Sequence, residues 1–190
     1  GGKRSRVGRG KKAGRLDLSG EWKRVKVENY VAFLEAQGVP WAQRNIAPKI
    51  PMAHTFTMSK DLMAYNLREK GGPIDSDFTL SVDNTPTPTR VVKAGFEDKA
   101  TWEGGKLRIS KVRLPERSYE LVSYRWLEDD ETTLKCSIKY IDLLGNKPSV
   151  ETVCSFSLLR PSPHPIPASL NTAEDEDDAG GNGAGVGAGV

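Results

Sequence analysis

Apolar and polar residues alternate along most of the chain between residues 16 and 160. Around Cys136 and Ile138, for example, apolar positions alternate with Lys135, Ser137 and Lys139. A period of two is typical of a β-strand with one buried and one solvated face. We predict ten strands, at residues 18–27, 51–59, 62–69, 76–83, 87–94, 97–103, 106–114, 117–128, 131–142 and 149–159.

Turn-forming residues separate the predicted strands at intervals of about 8–12 residues. Examples are the glycines and proline at 71–73, the glycine pair at 104–105 and the Gly145-Asn146 dipeptide. Short strands at this spacing are typical of an antiparallel sandwich or an up-and-down barrel. The pattern alone leaves both open.

One segment between the first and second predicted strands departs from the strand period. Within residues 28–37, Tyr30, Phe33 and Leu34 have helical spacing, and Gly38 stands where a helix C-terminus favours a left-handed residue. A second short helix is predicted at residues 40–47, with proline in its first turn. The sequence therefore predicts a helical pair inserted after the first strand.

The segment Gly20–Gly38 resembles the amino-terminal signature of the cytosolic fatty-acid-binding and retinoid-binding proteins. It has a glycine, an aromatic residue two positions later, Glu28-Asn29 before another aromatic residue, and an apolar pair before a glycine. The similarity continues through residues 42–47 and covers residues 16–160 mainly by strand count. It implies an all-β fold: a ten-stranded antiparallel up-and-down β-barrel with a helix-turn-helix cap between strands 1 and 2. It also implies an internal cavity for a hydrophobic ligand.

The family resemblance singles out one charged residue. Members that hold fatty-acid carboxylates have an interior arginine on the eighth strand and an Arg-x-Tyr pair on the last. Arg125 matches the first position and shares a face with Ser123, although an alignment shifted by one residue would make Arg125 solvated. Phe156 and Leu158 stand where the pair would be, so half of this clamp is missing. We therefore expect a ligand less acidic than a fatty acid.

The remaining ligand-binding candidates are apolar or aromatic. They are Tyr30 and Leu34 on the first helix, Phe56 and Met58 on the second strand with Met52 and His54 on the same face, Tyr140 on the ninth strand, and Phe156 and Leu158 on the last. Ordinary core packing explains such a stripe at least as well as ligand contact.

The two cysteines make a specific prediction of strand register. Cys136 and Cys154 each lie nine residues from Gly145. A symmetric hairpin about that glycine would place them directly opposite each other on the inward face, close enough for a disulfide. In a cytoplasmic protein, which is the compartment we expect here, two reduced buried thiols are favoured.

The charges of the chain are concentrated at its ends. Residues 1–15 carry seven basic and no acidic residues, and residues 171–190 carry five acidic and no basic residues. We predict a disordered basic tail at 1–15, a lipid-binding barrel at 16–160, and a Pro-rich linker with a disordered acidic, Gly-rich tail at 161–190. The barrel itself is nearly neutral, which argues against nucleic acid as its partner.

Several classes of function lack support in the sequence. We find no paired inward carboxylates, no nucleophile with a placed histidine and no phosphate-binding glycine loop, so we predict that the protein is not an enzyme. With two histidines and two cysteines that lack C-x-x-C spacing, we expect no metal and no cofactor.

Two functions remain. The first is non-covalent binding and intracellular transport or buffering, by a monomer, of a long-chain hydrophobic ligand such as a fatty acid or related lipid. The second is a scaffold barrel that binds no lipid and whose basic arm engages nucleic acid, a membrane or a protein. The arm also predicts weak contact with an anionic membrane surface.

Overall fold

The computed structural model describes residues 11–12, 14–128 and 130–161. Within them, one antiparallel sheet contains ten strands, which confirms the predicted number. They are β1 Gly20–Glu28, β2 Ala53–Met58, β3 Ala64–Gly71, β4 Ile74–Ser81, β5 Thr87–Val91, β6 Ala94–Glu103, β7 Lys106–Leu114, β8 Tyr119–Leu127, β9 Thr133–Asp142 and β10 Val150–Arg160.

The strands form a nearly closed up-and-down barrel. Except for β4 and β5, strands that are consecutive in the chain pair with each other, and β1 pairs with β10 to bring the two ends of the barrel sequence together. Among the described residues, β4 and β5 touch without forming a hydrogen-bonded ladder. We call this gap the β4–β5 seam. The predicted barrel is therefore confirmed, and the sandwich is excluded.

A dense apolar core fills the end of the barrel where β1 begins. Leu18, Trp22, Phe56 and Phe156 are almost completely buried there. The Trp22 indole N–H donates to the Leu18 carbonyl at 2.9 Å, so the segment before β1 closes this end. Large side chains therefore fill this end of the barrel, and the cavity described below lies toward the other end, with Phe156 at its boundary.

Two short helices cover the opposite end, α1 at Tyr30–Ala36 and α2 at Trp41–Ile46, followed by a 3₁₀ turn at Ala47–Lys49. Gly38 has φ +79°, its N–H donates to the Glu35 carbonyl, and the next N–H donates to the Leu34 carbonyl. These two hydrogen bonds form a Schellman motif, which ends α1 at the predicted glycine.

Gly20 is fixed by the close approach of the last strand. Its φ is +149°, and a Cβ at this position would lie 2.8 Å from Leu158 Cδ1 and 3.1 Å from the Arg160 carbonyl. A side chain here would therefore displace β10 from β1.

Most predicted boundaries differ from the structure by a few residues, and two differences have an identifiable cause or consequence. The strand predicted at 87–94 ends at Val91, because the chain turns at Val92, which has φ +55° although neither turn residue is Gly, Asn or Asp. In the predicted basic tail, Lys11–Lys12 pairs with Arg15–Leu16 in a two-residue ladder. Residues 1–10 and 162–190, most of the two predicted tails, lie outside the described residues. No helix in the described part of the chain is long and apolar enough to span a membrane.

Candidate ligand-binding cavity

A cavity of ≈ 200 Å³ lies between the helices and the barrel interior. Its wall is mainly apolar and aromatic, with a smaller set of charged and polar groups. The apolar and aromatic lining residues are Tyr30, Phe33, Met52, Ile74, Phe78, Val91, Phe96, Ile109, Leu121, Ile138 and Phe156. The polar lining residues are Arg24, Gln37, His54, Glu69, Lys111, Ser123, Arg125, Cys136 and Cys154.

Helix α1 contributes Tyr30 and Phe33 to the cavity wall, and its C-cap residue Gln37 joins them. Their spacing of three and four residues places them on one face of the helix. The Tyr30 ring packs below the Arg24 guanidinium, whose Cζ lies 5.3 Å from the ring centroid. Burial raises the pKa of the Tyr30 phenol, so this group is a neutral hydrogen-bonding group at the cavity edge.

Arg24 of β1 ties the end of the helical cap to the barrel. Its Nη2 donates to the carbonyls of Ala47, Pro48 and Ile50 at 3.1, 3.3 and 2.7 Å. The Ala47 carbonyl also accepts from the Ile50 N–H within the 3₁₀ turn, whereas the Pro48 and Ile50 carbonyls lie at the end of that turn and just after it. A single barrel side chain therefore holds the segment that connects the cap to β2.

Arg125 lies in the cavity wall, and only 5% of its surface is exposed. Its Nη1 donates to Ser123 Oγ at 2.8 Å, and Ser123 Oγ in turn donates to the Ile109 carbonyl at 3.5 Å. Its Nη2 lies 3.8 Å from Glu69 Oε1, an ion-pair distance beyond hydrogen-bonding range. Arg125 Nε has no hydrogen-bond partner among the described residues.

Glu69 faces Arg125 from the opposite wall. Strand pairing places His54, Glu69 and Ser76 side by side on β2, β3 and β4. Glu69 Oε1 lies 3.5 Å from His54 Nε2, and Ser76 Oγ donates to Glu69 Oε2 at 3.1 Å. Burial alone would raise the pKa of Glu69, but its interactions with His54, Arg125, Lys111 and Ser76 outweigh burial and lower that pKa. Glu69 is therefore an ionised carboxylate inside the barrel.

His54 is a neutral imidazole. Its ring lies 4.4 Å from the Phe156 ring between centroids, and burial lowers its pKa to about 4 despite the nearby Glu69 carboxylate. With its proton on Nε2, which is the nitrogen nearer Glu69, the other nitrogen is an acceptor. This Nδ1 has no hydrogen-bond partner among the described residues.

A second ion pair joins β6 and β7. Asp98 and Lys111 are directly opposite each other, and Lys111 Nζ contacts Asp98 Oδ2 and donates to Thr89 Oγ1 at 3.1 Å. Asp98 is completely buried, and this burial raises the pKa of its carboxyl group even though Lys111 opposes the shift. Lys111 Nζ also lies 4.9 and 5.1 Å from the ring centroids of Phe78 and Phe96.

The predicted cysteine register is confirmed. Cys136 pairs directly with Cys154 across β9 and β10, and both line the cavity as free thiols. Burial raises the pKa of both thiols, that of Cys154 to about 12. Neither is a thiolate near neutral pH, so neither is an activated nucleophile.

Comparison with solved structures identifies the architecture. The chain matches fatty-acid-binding protein 1 of Echinococcus granulosus with a TM-score of 0.61 and 16% identity, over 75% of this chain and 97% of that one. The Schistosoma mansoni fatty-acid-binding protein, in complex with arachidonic acid, matches with a TM-score of 0.61 and 18% identity, over 75% and 96%. The chain has the fold of the fatty-acid-binding proteins.

The same fold also occurs in an abundant heat soluble (SAHS) protein from Ramazzottius varieornatus. It matches with a TM-score of 0.60 and 19% identity, over 74% of this chain and 94% of that one. No protein-family model matches the sequence, and no curated protein is significantly similar to it. At these identities the comparisons establish the fatty-acid-binding fold and leave the ligand to be argued from the cavity.

Within the fatty-acid-binding fold, the predicted ligand-binding residues separate into two groups. Arg125, Ser123, Tyr30 and Phe156 line the cavity. The others lie elsewhere: Phe56 and Met58 are in the apolar core at the closed end, Leu158 packs against that core, the Tyr140 ring is tilted against the Tyr119 ring with 5.2 Å between centroids, and Leu34 is half-buried.

The cavity wall differs from the prediction in two respects. Phe33 and Gln37, rather than Leu34, join Tyr30 in the wall, because the helix presents a different face to the barrel. Two carboxylates that the sequence analysis did not single out also lie inside the barrel, partly buried Glu69 and fully buried Asp98, each beside a cation.

A sequence signal for these charged residues existed. Glu69 continues the alternation of the buried residues Tyr65 and Leu67, and Lys111 continues that of Leu107 and Ile109. Strict alternation therefore assigns both charges to the inside of the fatty-acid-binding fold.

Proposed function

We propose that this protein binds a long-chain hydrophobic ligand non-covalently inside its barrel and transports or buffers it as a cytoplasmic monomer. The observation that carries the proposal is the cavity, which is walled by apolar and aromatic side chains and contains a few convergent polar groups. This composition is typical of a small-molecule site. Each buried methylene of a ligand would contribute about 0.8 kcal/mol.

The cavity volume limits how such a ligand enters. A volume of ≈ 200 Å³ is below the roughly 300–1,000 Å³ typical of ligand pockets. A long acyl chain is therefore accommodated by movement of wall side chains. Met52 is suited to such movement because methionine is unbranched and adapts to irregular spaces.

Arg125 and Ser123 are the proposed binding partners for the ligand's polar end. The buried guanidinium has an unused N–H donor, and Ser123 holds the guanidinium in place. Tyr30 and Phe33 would contact the ligand from the helical cap, and Phe156 from the last strand. The missing Arg-x-Tyr pair leaves Arg125 without a second clamp for a ligand carboxylate.

The relatives support the ligand class and leave the head group undecided. The Schistosoma mansoni protein holds arachidonic acid, which is a long-chain acid. In this chain, Phe156 and an internal Glu69 occupy the region where a carboxylate would be held. The basic arm of the alternative scaffold function falls mostly outside the described residues, and that alternative stays a prediction from the sequence.

The proposal is tested with the purified full chain. Native mass spectrometry checks for a co-isolated lipid, and binding of the neutral dye Nile red is measured by fluorescence. We expect palmitate, hexadecanol or hexadecanamide to displace the dye. The cavity residue Ile138 is replaced in I138W, which fills the cavity and is expected to abolish dye binding, whereas S137W on the outer face is the matched control. Absence of dye binding to the wild type, or equal binding by I138W and S137W, would contradict the proposal.

A further inference from the structure

The charged side chains in the cavity wall are arranged differently from those of a site that binds a ligand carboxylate. Glu69 reaches toward Arg125 from the opposite wall and is held there by Ser76 Oγ and by the register of β2, β3 and β4. The negative charge facing the guanidinium is thus part of the protein. A ligand carboxylate entering this space would meet a second carboxylate on the same arginine.

Unsatisfied polar atoms near this pair indicate what kind of group would fit. Arg125 Nε is a buried donor without an acceptor, and His54 Nδ1 is a buried acceptor without a donor, among the described residues. Glu69 Oε1 lies beyond hydrogen-bonding range of Arg125 and offers further acceptor capacity. Buried polar groups are normally paired, so a ligand that supplies both a donor and an acceptor would satisfy them.

We propose that Glu69 determines head-group specificity, so that the cavity selects an uncharged head that both donates and accepts hydrogen bonds over a fatty carboxylate. A primary alcohol or a primary amide has both functions, whereas an ionised carboxylate only accepts. The head accepts from Arg125 and donates to Glu69 or His54, and the hydrocarbon chain follows the aromatic wall. This inference rests on the proposed lipid-binding function and concerns only the head group.

Three single substitutions separate charge, geometry and general effects. E69Q removes the internal carboxylate with little change in shape. E69D keeps the charge and shortens the side chain by one methylene. E120Q removes a carboxylate from β8 that does not line the cavity and accepts a hydrogen bond from Ser110, and it is the matched control for net charge.

The experiment measures displacement of Nile red by hexadecanol, hexadecanamide and palmitate, which share one chain length and differ in the head. We expect the wild type, E69D and E120Q to bind the alcohol and the amide at least about tenfold more tightly than palmitate. This preference corresponds to about 1.4 kcal/mol. In E69Q the ratio of alcohol to palmitate affinity should fall by at least about tenfold, because Arg125 loses its internal counter-charge.

The outcomes distinguish this inference from the proposed function. If the wild type binds the dye and binds palmitate as tightly as hexadecanol, the head-group inference is overturned while lipid binding stands. An unchanged ratio in E69Q also overturns it. If E69Q does not fold, the ratios in the wild type and E69D decide. If none of the three ligands displaces the dye, both proposals fail.

Discussion

The surroundings of the ionisable side chains in the cavity shift their pKa values, and His54 shows this most clearly. Its pKa lies at about 4 in the folded protein, against an ordinary value of 6.5, because burial disfavours the imidazolium. Between these two values the unfolded chain binds a proton that the folded chain does not bind. The stability that neutral His54 contributes is therefore fully present above its ordinary pKa of 6.5 and is lost progressively as the pH falls toward 4.

We predict that acidification from about pH 7.5 to about pH 5.5 lowers the free energy of unfolding by roughly 1 kcal/mol through His54. Urea unfolding at both pH values measures the change. H54Q should lose this pH dependence. H164Q, at a position that the sequence predicts to lie in a tail, should keep it. A wild-type stability that is equal at the two pH values, or an H54Q variant that keeps the full slope, would show that His54 is not buried as a neutral group.

Glu69 gives a second pH effect in a lower range. The pKa of the Glu69 carboxyl group is lowered in the folded protein. The stability that the ionised group contributes is therefore present above its ordinary pKa and is lost as the pH falls below that pKa. The two effects have the same sign, but His54 acts first during acidification. A carboxylate and an imidazole on neighbouring strands thus make the cavity wall less stable in acid.

At the scale of elements, the helical cap depends on the contact between Arg24 and the chain after α2. The three carbonyls that accept from Arg24 Nη2 belong to residues 47, 48 and 50, immediately before β2. Hydrogen bonds to a charged group each contribute roughly 1.5–3 kcal/mol. The contact therefore opposes separation of the end of the cap from the barrel.

We predict that R24Q increases hydrogen exchange in residues 41–50 by at least about tenfold, while the central strands β8 and β9 change much less. Nile red should also dissociate faster, because the cap closes the cavity. K23Q, at the exposed neighbouring position on β1, is the matched control. Equal exchange in R24Q and K23Q throughout the cap would show that Arg24 does not hold it. Hydrogen-exchange mass spectrometry and stopped-flow fluorescence provide the two measurements.

The elements themselves were largely predictable from the sequence, for identifiable reasons. Period-two alternation gave the ten strands, Gly38 gave the end of α1, and the positions of the cysteines about Gly145 gave the register of β9 and β10. In each case the signal is local or depends on a single turn. The turn at Val92 was not predictable in this way, because it lacks the residues that normally mark one.

The site was less predictable, because it depends on distances between elements that are remote in the chain. Alternation places Glu69 and Arg125 inside the barrel, but it does not say that they face each other. Helical spacing on α1 is compatible with either Leu34 or Phe33 toward the cavity, and the choice is made by packing of the helix on β9 and β10. The strand pattern therefore gives the wall, and tertiary packing decides which wall residues meet.

At the scale of the whole molecule, the two ends and the two sides of the barrel differ in rigidity. Continuous ladders run from β4 through β1 and β10 to β5, and the closed-end core fixes one end. The β4–β5 seam has no ladder among the described residues, and Phe78 and Phe96 line both the cavity and an opening at this seam. The wall can therefore widen there without breaking a strand pair, which offers a route to the volume that a long ligand requires.

The closed-end core also defines the smallest stable unit of the chain. Among the described residues, its members extend from Leu18 to Phe156, and none of them lies in the described parts of the predicted tails. We predict that a chain of residues 11–161 keeps the ligand affinity of the full chain and a thermal midpoint within about 2 °C of it, because this chain retains every member of the described core. A midpoint shift of this size corresponds to less than about 1 kcal/mol.

Residues 20–161 form the matched, shorter chain. This chain lacks Leu18, which is fully buried and whose carbonyl accepts from the Trp22 indole. Loss of a buried leucine costs about 2–5 kcal/mol, so this chain should unfold at a clearly lower temperature. Differential scanning calorimetry compares the three chains. If the chain of residues 11–161 unfolds at a clearly lower temperature than the full chain, or loses Nile red binding, residues outside the barrel contribute to its fold or its cavity. The boundary between barrel and tail would then have to be moved outward.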